Sequence, residues 1–370
     1  MRSRIAHTFF LFFYAIPFML SLYINYSHAS AAPMPQPTDE PVTVIEISDP
    51  TATPTTPTAT PVSTPSPQPA PTPTVTPSPS PEQEQPAVLK DSLVTVKVFD
   101  RTDNRVIELT MHDYIIRCVA GEMPATFPME ALKAQAVAAR TFTARHMTSS
   151  CSSNSKAHVC TYHGCCQAYV SPERMQKNWG SNYAERLEKI TRAVEETDGL
   201  VMTYNGEPIT VFYFSTSNGY TEACQDVFVK NLPYYTSVES PGEESAPNYY
   251  SYVKISNDEF ISTVKNKLGI TISGSIEQSI DLQRSAGGRV KYITICGTKI
   301  KGTQFRTALG LKSTDFRFTF YDDQILIEVY GYGHGVGMSQ LGAKAMAEGG
   351  SVFSDILAHY YVNTNLCQIY

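Results

Sequence analysis

Residues 93–98 alternate apolar and polar, with Val94, Val96 and Val98 on one side, and predict a strand. From Thr110 the period lengthens. Ile115, Ile116 and Val119 share a helical face, and Thr110 with Asp113 three residues on marks the helix start. A second helix is predicted over 129–147, with Ala131, Ala134, Ala136, Ala138 and Ala139 spread around it. Small residues on several faces predict close packing inside the fold. Residues 182–197 predict a further helix closed by Gly199. Two runs, 200–204 and 208–214, flank Asn205-Gly206 and predict a hairpin. Asn257 is the expected cap of a helix ending near Gly269; 289–295 and 324–329 are strand-like, and helices are expected over 338–348 and 353–361. Strands and helices are interspersed without a βαβ rhythm. The predicted class is therefore α+β, mixed helices and antiparallel sheet segments in one large domain or two closely joined lobes.

The ends of the chain change the picture. Residues 1–31 begin with Arg2 and Arg4, continue through a mostly apolar stretch from Phe9 to Leu22, and reach Ala29-Ser30-Ala31. That is the pattern of an export signal. The apolar stretch also extends to about 17 residues, the lower limit for a spanning helix, so a membrane anchor is the alternative. Either way the expected location is outside the cytoplasm, in the wall or tethered to the membrane. Residues 32–88 are dominated by Pro, Thr, Ser and Ala, without Lys, Arg or large aromatics. Such a segment cannot bury enough apolar surface to fold and reads as a disordered linker, or as a passive low-complexity tail. As a semi-rigid spacer its reach is on the order of 150 Å. Residues 89–370 are long enough for a large core. The overall charge of −6 leaves −2 here, and there are no basic runs. Nucleic-acid binding is excluded on that ground, and a poorly charged ligand fits better.

Four segments carry candidate chemistry. Glu122 lies between Gly121 and Met123-Pro124, where a helix must stop; it is either a solvated surface acid or an acid facing a cleft. Pro128 suits the first turn of the helix that follows. Lys133, Gln135 and Arg140 on that helix either pair at the surface or converge near Glu122 to line a polar cleft. The stretch from Gly331 to Gln340 carries alternate glycines that let backbone approach a ligand or another segment. In it His334 is a packed histidine or a ligand contact, and Ser339 and Gln340 are helix caps or substrate contacts. Tyr213, Ser215, Thr216 and Ser217 sit at the hairpin exit, where hydroxyls serve local turns or a ligand. Finally, Cys151, His158, Cys160, His163, Cys165 and Cys166 fall within sixteen residues. In an exported chain disulfides are the default, and the spacing also fits tetrahedral zinc. Cys118 and Cys296 lie on apolar segments and are expected as buried thiols.

These segments, in this order, resemble the SpoIID/LytB family of sporulation and cell-wall proteins. The matching stretches include Glu122-Met123-Pro124, the run from Glu130 to Thr141, Ser215-Thr216-Ser217, the run from Gly333 to Gln340, and His359-Tyr360-Tyr361. The resemblance covers essentially all of 89–370. It implies a peptidoglycan lytic transglycosylase that cleaves peptide-stripped glycan strands and leaves 1,6-anhydromuramic ends, in wall remodelling or engulfment during sporulation. Glu122 becomes the single catalytic acid and base. Lys133, Gln135, Arg140, Tyr213, Ser215, His334, Ser339 and Gln340 become substrate contacts. Zinc-binding members carry two Cys and two His; Cys160 and Cys166 match the cysteines, and the expected set here is His158, Cys160, Cys165 and Cys166. No organic cofactor is implied. An amidase and sporulation membrane proteins are implied as partners. The alternative is a non-catalytic wall-binding module that enhances an amidase.

Overall fold

The computed structural model describes residues 90–228 and 231–370; the expected export signal or anchor (1–31) and linker (32–88) lie outside the described residues. A 3-10 turn (Asp91–Leu93) leads into β1 (Thr95–Asp100) and β2 (Arg105–Thr110), an antiparallel hairpin that buries Val96 and Val98. The Thr110 hydroxyl accepts a hydrogen bond from the Asp113 amide at 3.0 Å and caps α1 (Met111–Glu122). Met123 turns extended (φ −125°, ψ 142°), as a residue before proline should, so the helix ends on Glu122. Pro128 stands at the N-cap of α2 (Met129–His146), one position ahead of the first turn where the sequence placed it. The alanines of α2 are buried, and the helix forms the centre of the larger core, packed against α1, the later helix Tyr183–Glu195 and the last two helices.

After β3 (Val159–Cys160), parallel to β1, come α3 (Pro172–Trp179) and α4 (Tyr183–Glu195). The pattern of the chain did not predict α3, an eight-residue helix with one buried residue, Met175. β4 (Leu200–Tyr204) turns through Asn205 and Gly206, both at positive φ, into β5 (Glu207–Pro208). The second arm of this hairpin is shorter than predicted. Pro208 has no N–H for the ladder, and the chain leaves it to bury Ile209 and Val211. It resumes as β6 (Tyr213–Phe214) in a different sheet.

Beyond α5 (Cys224–Val227) the chain builds a second core. β7 (Tyr250–Ser256) is followed by α6 (Asn257–Leu268), capped by Ser256 rather than the expected Asn257 and closed by Gly269 at φ 73°. A meander of β8 (Ile280–Arg284), β9 (Val290–Ile295) and β10 (Thr298–Lys301) precedes α7 (Gly302–Leu309). Cys296 stands exposed at the β9–β10 turn with φ 46°, not buried as its apolar neighbours suggested. β11 (Asp315–Phe320) and β12 (Gln324–Tyr330) complete an antiparallel sheet in the order β11-β12-β7. Phe260, Phe305, Phe316 and Ile327 fill the space beneath it. The chain then returns to the first core through β13 (Met338–Ser339), α8 (Gln340–Glu348), α9 (Phe353–Tyr360) and β14 (Asn365–Gln368), which takes the free edge of β4. The architecture is α+β, with strands and helices around two cores in one unit. Among the described residues no helix is long and apolar enough to cross a membrane.

Candidate functional site

Glu122 is the last residue of α1, and Gly121 before it decides what approaches. A Cβ at 121 would lie 3.0 Å from both the Ala168 carbonyl carbon and the Tyr169 nitrogen. Without one, the 166–169 segment passes close enough for the Ala168 amide to donate to Glu122 Oε1 at 2.6 Å. Two further donors come from segments far apart in the chain because β6 and β13 pair in parallel, Tyr213 against Met338 and Phe214 against Ser339. Gly337, at φ 82°, permits that pairing, since a Cβ there would fall 2.0 Å from the Phe212 carbonyl oxygen. The Tyr213 hydroxyl thus reaches Glu122 Oε1 at 3.2 Å, and Gln340 Nε2 donates to Glu122 Oε2 at 3.1 Å.

Burial pushes the Glu122 carboxyl above its usual range, and the bonds from Ala168, Gln340 and Tyr213 offset only part of that. The Tyr213 hydroxyl also faces Gln167 Oε1 at 2.9 Å. It carries one proton, so it serves one acceptor at a time. With Glu122 ionised it donates to the carboxylate; with Glu122 protonated it donates to Gln167 and accepts from the acid. The network therefore accommodates both protonation states. Among the described residues no other carboxylate bonds to Glu122 or to these partners.

A buried carboxylate missed in the sequence, Glu243, holds the surrounding loops. It accepts from the Ser217 amide (2.6 Å) and from the hydroxyls of Ser217 (2.7 Å), Ser240 (2.6 Å) and Ser339 (2.7 Å). Ser339 in turn caps α8 by accepting from the Gly342 amide, which sets the first helical residue, Gln340, against Glu122. The Ser215 carbonyl accepts from the Leu341 amide, so the Ser215-Thr216-Ser217 turn is tied to the same helix end.

Of the expected substrate contacts, Tyr213 and Gln340 meet Glu122, while Ser215 and Ser339 lie in the adjoining turn and cap. The others are placed elsewhere. Lys133 pairs with Glu130 at 2.8 Å and Glu196 at 2.6 Å. Gln135 is fully buried in the first core, with no side-chain partner among the described residues. Arg140 is fully buried as well. Its guanidinium grips Asp91 through Nε (2.8 Å) and a terminal nitrogen (2.7 Å) and donates to the carbonyls of Leu200 and Val194, which makes it a structural tie rather than a cleft residue. His334 packs among Phe212, Phe214 and Phe228 and accepts from the Val336 amide. Burial, with Arg306 and Arg289 nearby, lowers it to about 3, so it stays neutral and cannot serve as an acid at ordinary pH.

The cysteine cluster forms with one exchange of partner. The sulfurs of Cys151, Cys160, Cys165 and Cys166 all lie within 4.8 Å of one another, and Cys151 takes the place expected of His158. His158 Nδ1 is engaged instead by the Lys97 amide at 3.1 Å, because β3 aligns it beside β1. Cys151 stands 3.6 Å from Cys165 and 3.8 Å from Cys166. A tetrahedral ion with bonds of about 2.3 Å sets its sulfurs about 3.8 Å apart, so the donor set fits a metal. Burial raises the Cys165 thiol, but hydrogen bonds from Ser152 and Ser153 outweigh it and bring the group down to about 6. A group that ionises so readily suits a thiolate ligand.

The site is thus an acid, Glu122, set in an α+β domain and held by an amide, a tyrosine and a glutamine. The family described as SpoIID, Stage II sporulation protein, matches residues 100–204, which include Glu122 and all four clustered cysteines. The chain is 40% identical over 281 residues to Stage II sporulation protein D of Bacillus amyloliquefaciens, covering 76% of this chain and 80% of that one. It is 39% identical to Stage II sporulation protein D of Bacillus subtilis (strain 168), covering 76% and 81%. It is also 29% identical over 300 residues to the amidase enhancer of Bacillus subtilis, covering 67% of this chain and 39% of that protein. The chain belongs to the stage II sporulation protein D family.

Proposed function

We propose that the chain is an exported peptidoglycan lytic transglycosylase acting in the cell wall during sporulation, with Glu122 as its only acid and base. The observation that carries this reading is the Glu122 site itself: a carboxyl raised by burial and held by donors that tolerate both of its protonation states. Hydrolysis of a glycosidic bond uses two carboxylates. Intramolecular transfer uses one. Protonated Glu122 gives its proton to the glycosidic oxygen as the bond from that oxygen to the muramic C1 breaks. The carboxylate then takes the proton of the muramic 6-hydroxyl as O6 closes on C1. No water is consumed, and Glu122 returns protonated for the next cycle. Tyr213 follows the charge, donating to Glu122 while it is ionised and turning to Gln167 when it is not.

In this reading zinc is held by Cys151, Cys160, Cys165 and Cys166 and has a structural part. It ties down the loop that runs on through Gln167 and Ala168, which bond to Tyr213 and Glu122. The purified chain is expected to bind about one zinc ion, Cys151→Ser to lose it, and His158→Ala to keep it. Metal analysis that finds zinc retained in the serine variant and lost in the alanine variant would overturn this ligand set.

The likeness to an amidase enhancer favours a second reading, a wall-binding module without catalysis. The two separate on peptide-free glycan strands with no amidase present: a transglycosylase releases soluble fragments, and a binding module releases none.

A further inference from the structure

The sheet β11-β12-β7 has one face packed on the second core and one face left open. Alternation along the strands puts Ile255, Ile325, Ile327, Val329 and Phe316 inward. Tyr250, Tyr252, Lys254, Glu328, Tyr330 and Arg317 therefore face outward, with Tyr250 opposite Tyr330 and Tyr252 opposite Glu328. Tyr250 and Tyr252 are 45% and 57% exposed. Their rings form a shelf: Tyr250 lies 5.5 Å from Tyr330 and 6.3 Å from Tyr252. The Arg317 guanidinium sits 4.5 Å over the Tyr330 ring and Lys254 sits 5.7 Å from the Tyr252 ring. Of the two acids that the strand register puts on this face, Glu328 accepts from the Tyr250 hydroxyl at 3.1 Å, and Asp315, opposite Tyr330, is buried and paired with Arg284 at 2.9 Å.

Backbone hydrogen bonds tie the shelf to the segment that follows Tyr213. The Gly331 amide, next after Tyr330, donates to the Tyr249 carbonyl at 2.7 Å. Tyr332 pairs with Thr216 in both directions, at 2.8 and 3.0 Å, and Lys312 lies 4.9 Å over the Tyr332 ring. Thr216 is three residues beyond Tyr213, whose hydroxyl bonds to Glu122. A row of tyrosines with cations beside them thus runs from Tyr252 through Tyr250 to Tyr330, and Tyr332 with Lys312 follows two residues on, bonded through its backbone to Thr216.

We propose that this open face is a glycan-holding shelf for a peptide-stripped strand whose scissile bond lies at Glu122. The proposal rests on the functional reading above. Tyrosine offers a flat apolar ring that stacks on the apolar face of a sugar, and a hydroxyl for its rim. Removing stem peptides leaves a lactyl carboxylate on each muramic residue, and Lys254, Arg317 and Lys312 supply the opposite charge at intervals along the row. A protein partner fits less well, because charged residues are depleted at the centre of protein interfaces and this face carries them throughout.

The test is equilibrium binding of long peptide-free strands and of a tetrasaccharide to the full chain bearing Glu122→Gln, which binds without turnover. Adding Tyr250→Ser, Tyr252→Ser and Arg317→Ser should weaken long-strand binding about tenfold or more, so that the preference for long strands over the tetrasaccharide collapses. The single change Tyr252→Ser, at the most exposed ring of the row, should weaken long-strand binding about threefold and keeps the test sound if the triple variant fails to fold. Unchanged long-strand affinity in both variants, with the parent still binding, overturns the shelf and leaves the Glu122 reading standing. Unchanged affinity with a loss of self-association would give this face to a second copy of the chain, which also overturns the shelf. Failure of the parent to bind any glycan overturns both.

Discussion

Glu122→Gln is expected to lower glycan-strand cleavage by about a thousandfold or more while the protein remains folded. The substitution keeps shape and size but removes the proton that must reach the glycosidic oxygen. It also removes the base that must accept the proton of the 6-hydroxyl. With no second carboxylate bonded to the site among the described residues, nothing nearby replaces either role. Folding should survive because the amide oxygen of glutamine can still accept from Ala168, the shortest of the three contacts at 2.6 Å. Strand cleavage within a few-fold of the unaltered chain would remove Glu122 from the chemistry.

The largest stability effect is expected at Arg140. Replacing it with alanine leaves the Asp91 carboxyl buried, with 1% of its surface exposed and no guanidinium partner, and frees the carbonyls of Leu200 and Val194. Breaking a buried pair on one side costs about 3–5 kcal/mol, which lowers the melting temperature on the order of 10 °C. Asp91→Ala should cost a similar amount. The double variant should cost clearly less than the two added together, since no charge is then left alone. A thermal melt of Arg140→Ala close to that of the unaltered chain would contradict the structural role and reopen a place for Arg140 in the cleft.

What could be read from the chain before its fold was local in origin. The end of α1 at Glu122 follows from the Met-Pro step, the buried character of α2 from its alanines, and the N-cap at Thr110 from a hydroxyl three residues ahead of Asp113. The hairpin turn at Asn205-Gly206 was legible for the same reason, whereas the early departure of the chain after Pro208 depended on Ile209 and Val211 finding a core elsewhere. The errors share one cause. Arg140 looked like a cleft residue because its partner, Asp91, lies 49 positions upstream with nothing between them to signal the pairing. His158 looked like a ligand by proximity in sequence, but β3 turns it toward Lys97 and brings Cys151 in instead. Gln167, Ala168 and Glu243 were invisible for the same reason, since each acts on residues far away in the chain. Gly121 was the one available hint, a glycine inside a helix where another segment had to come close.

The claim that one carboxyl serves as both acid and base is tested most directly by the mass of the new chain ends made from purified, peptide-free glycan strands. Transfer to the 6-hydroxyl adds no water, so every new muramic end should be a 1,6-anhydro end about 18 Da lighter than the reducing end that hydrolysis leaves. Products ending in reducing muramic acid would mean that water attacks the sugar, and would contradict the single-carboxyl account.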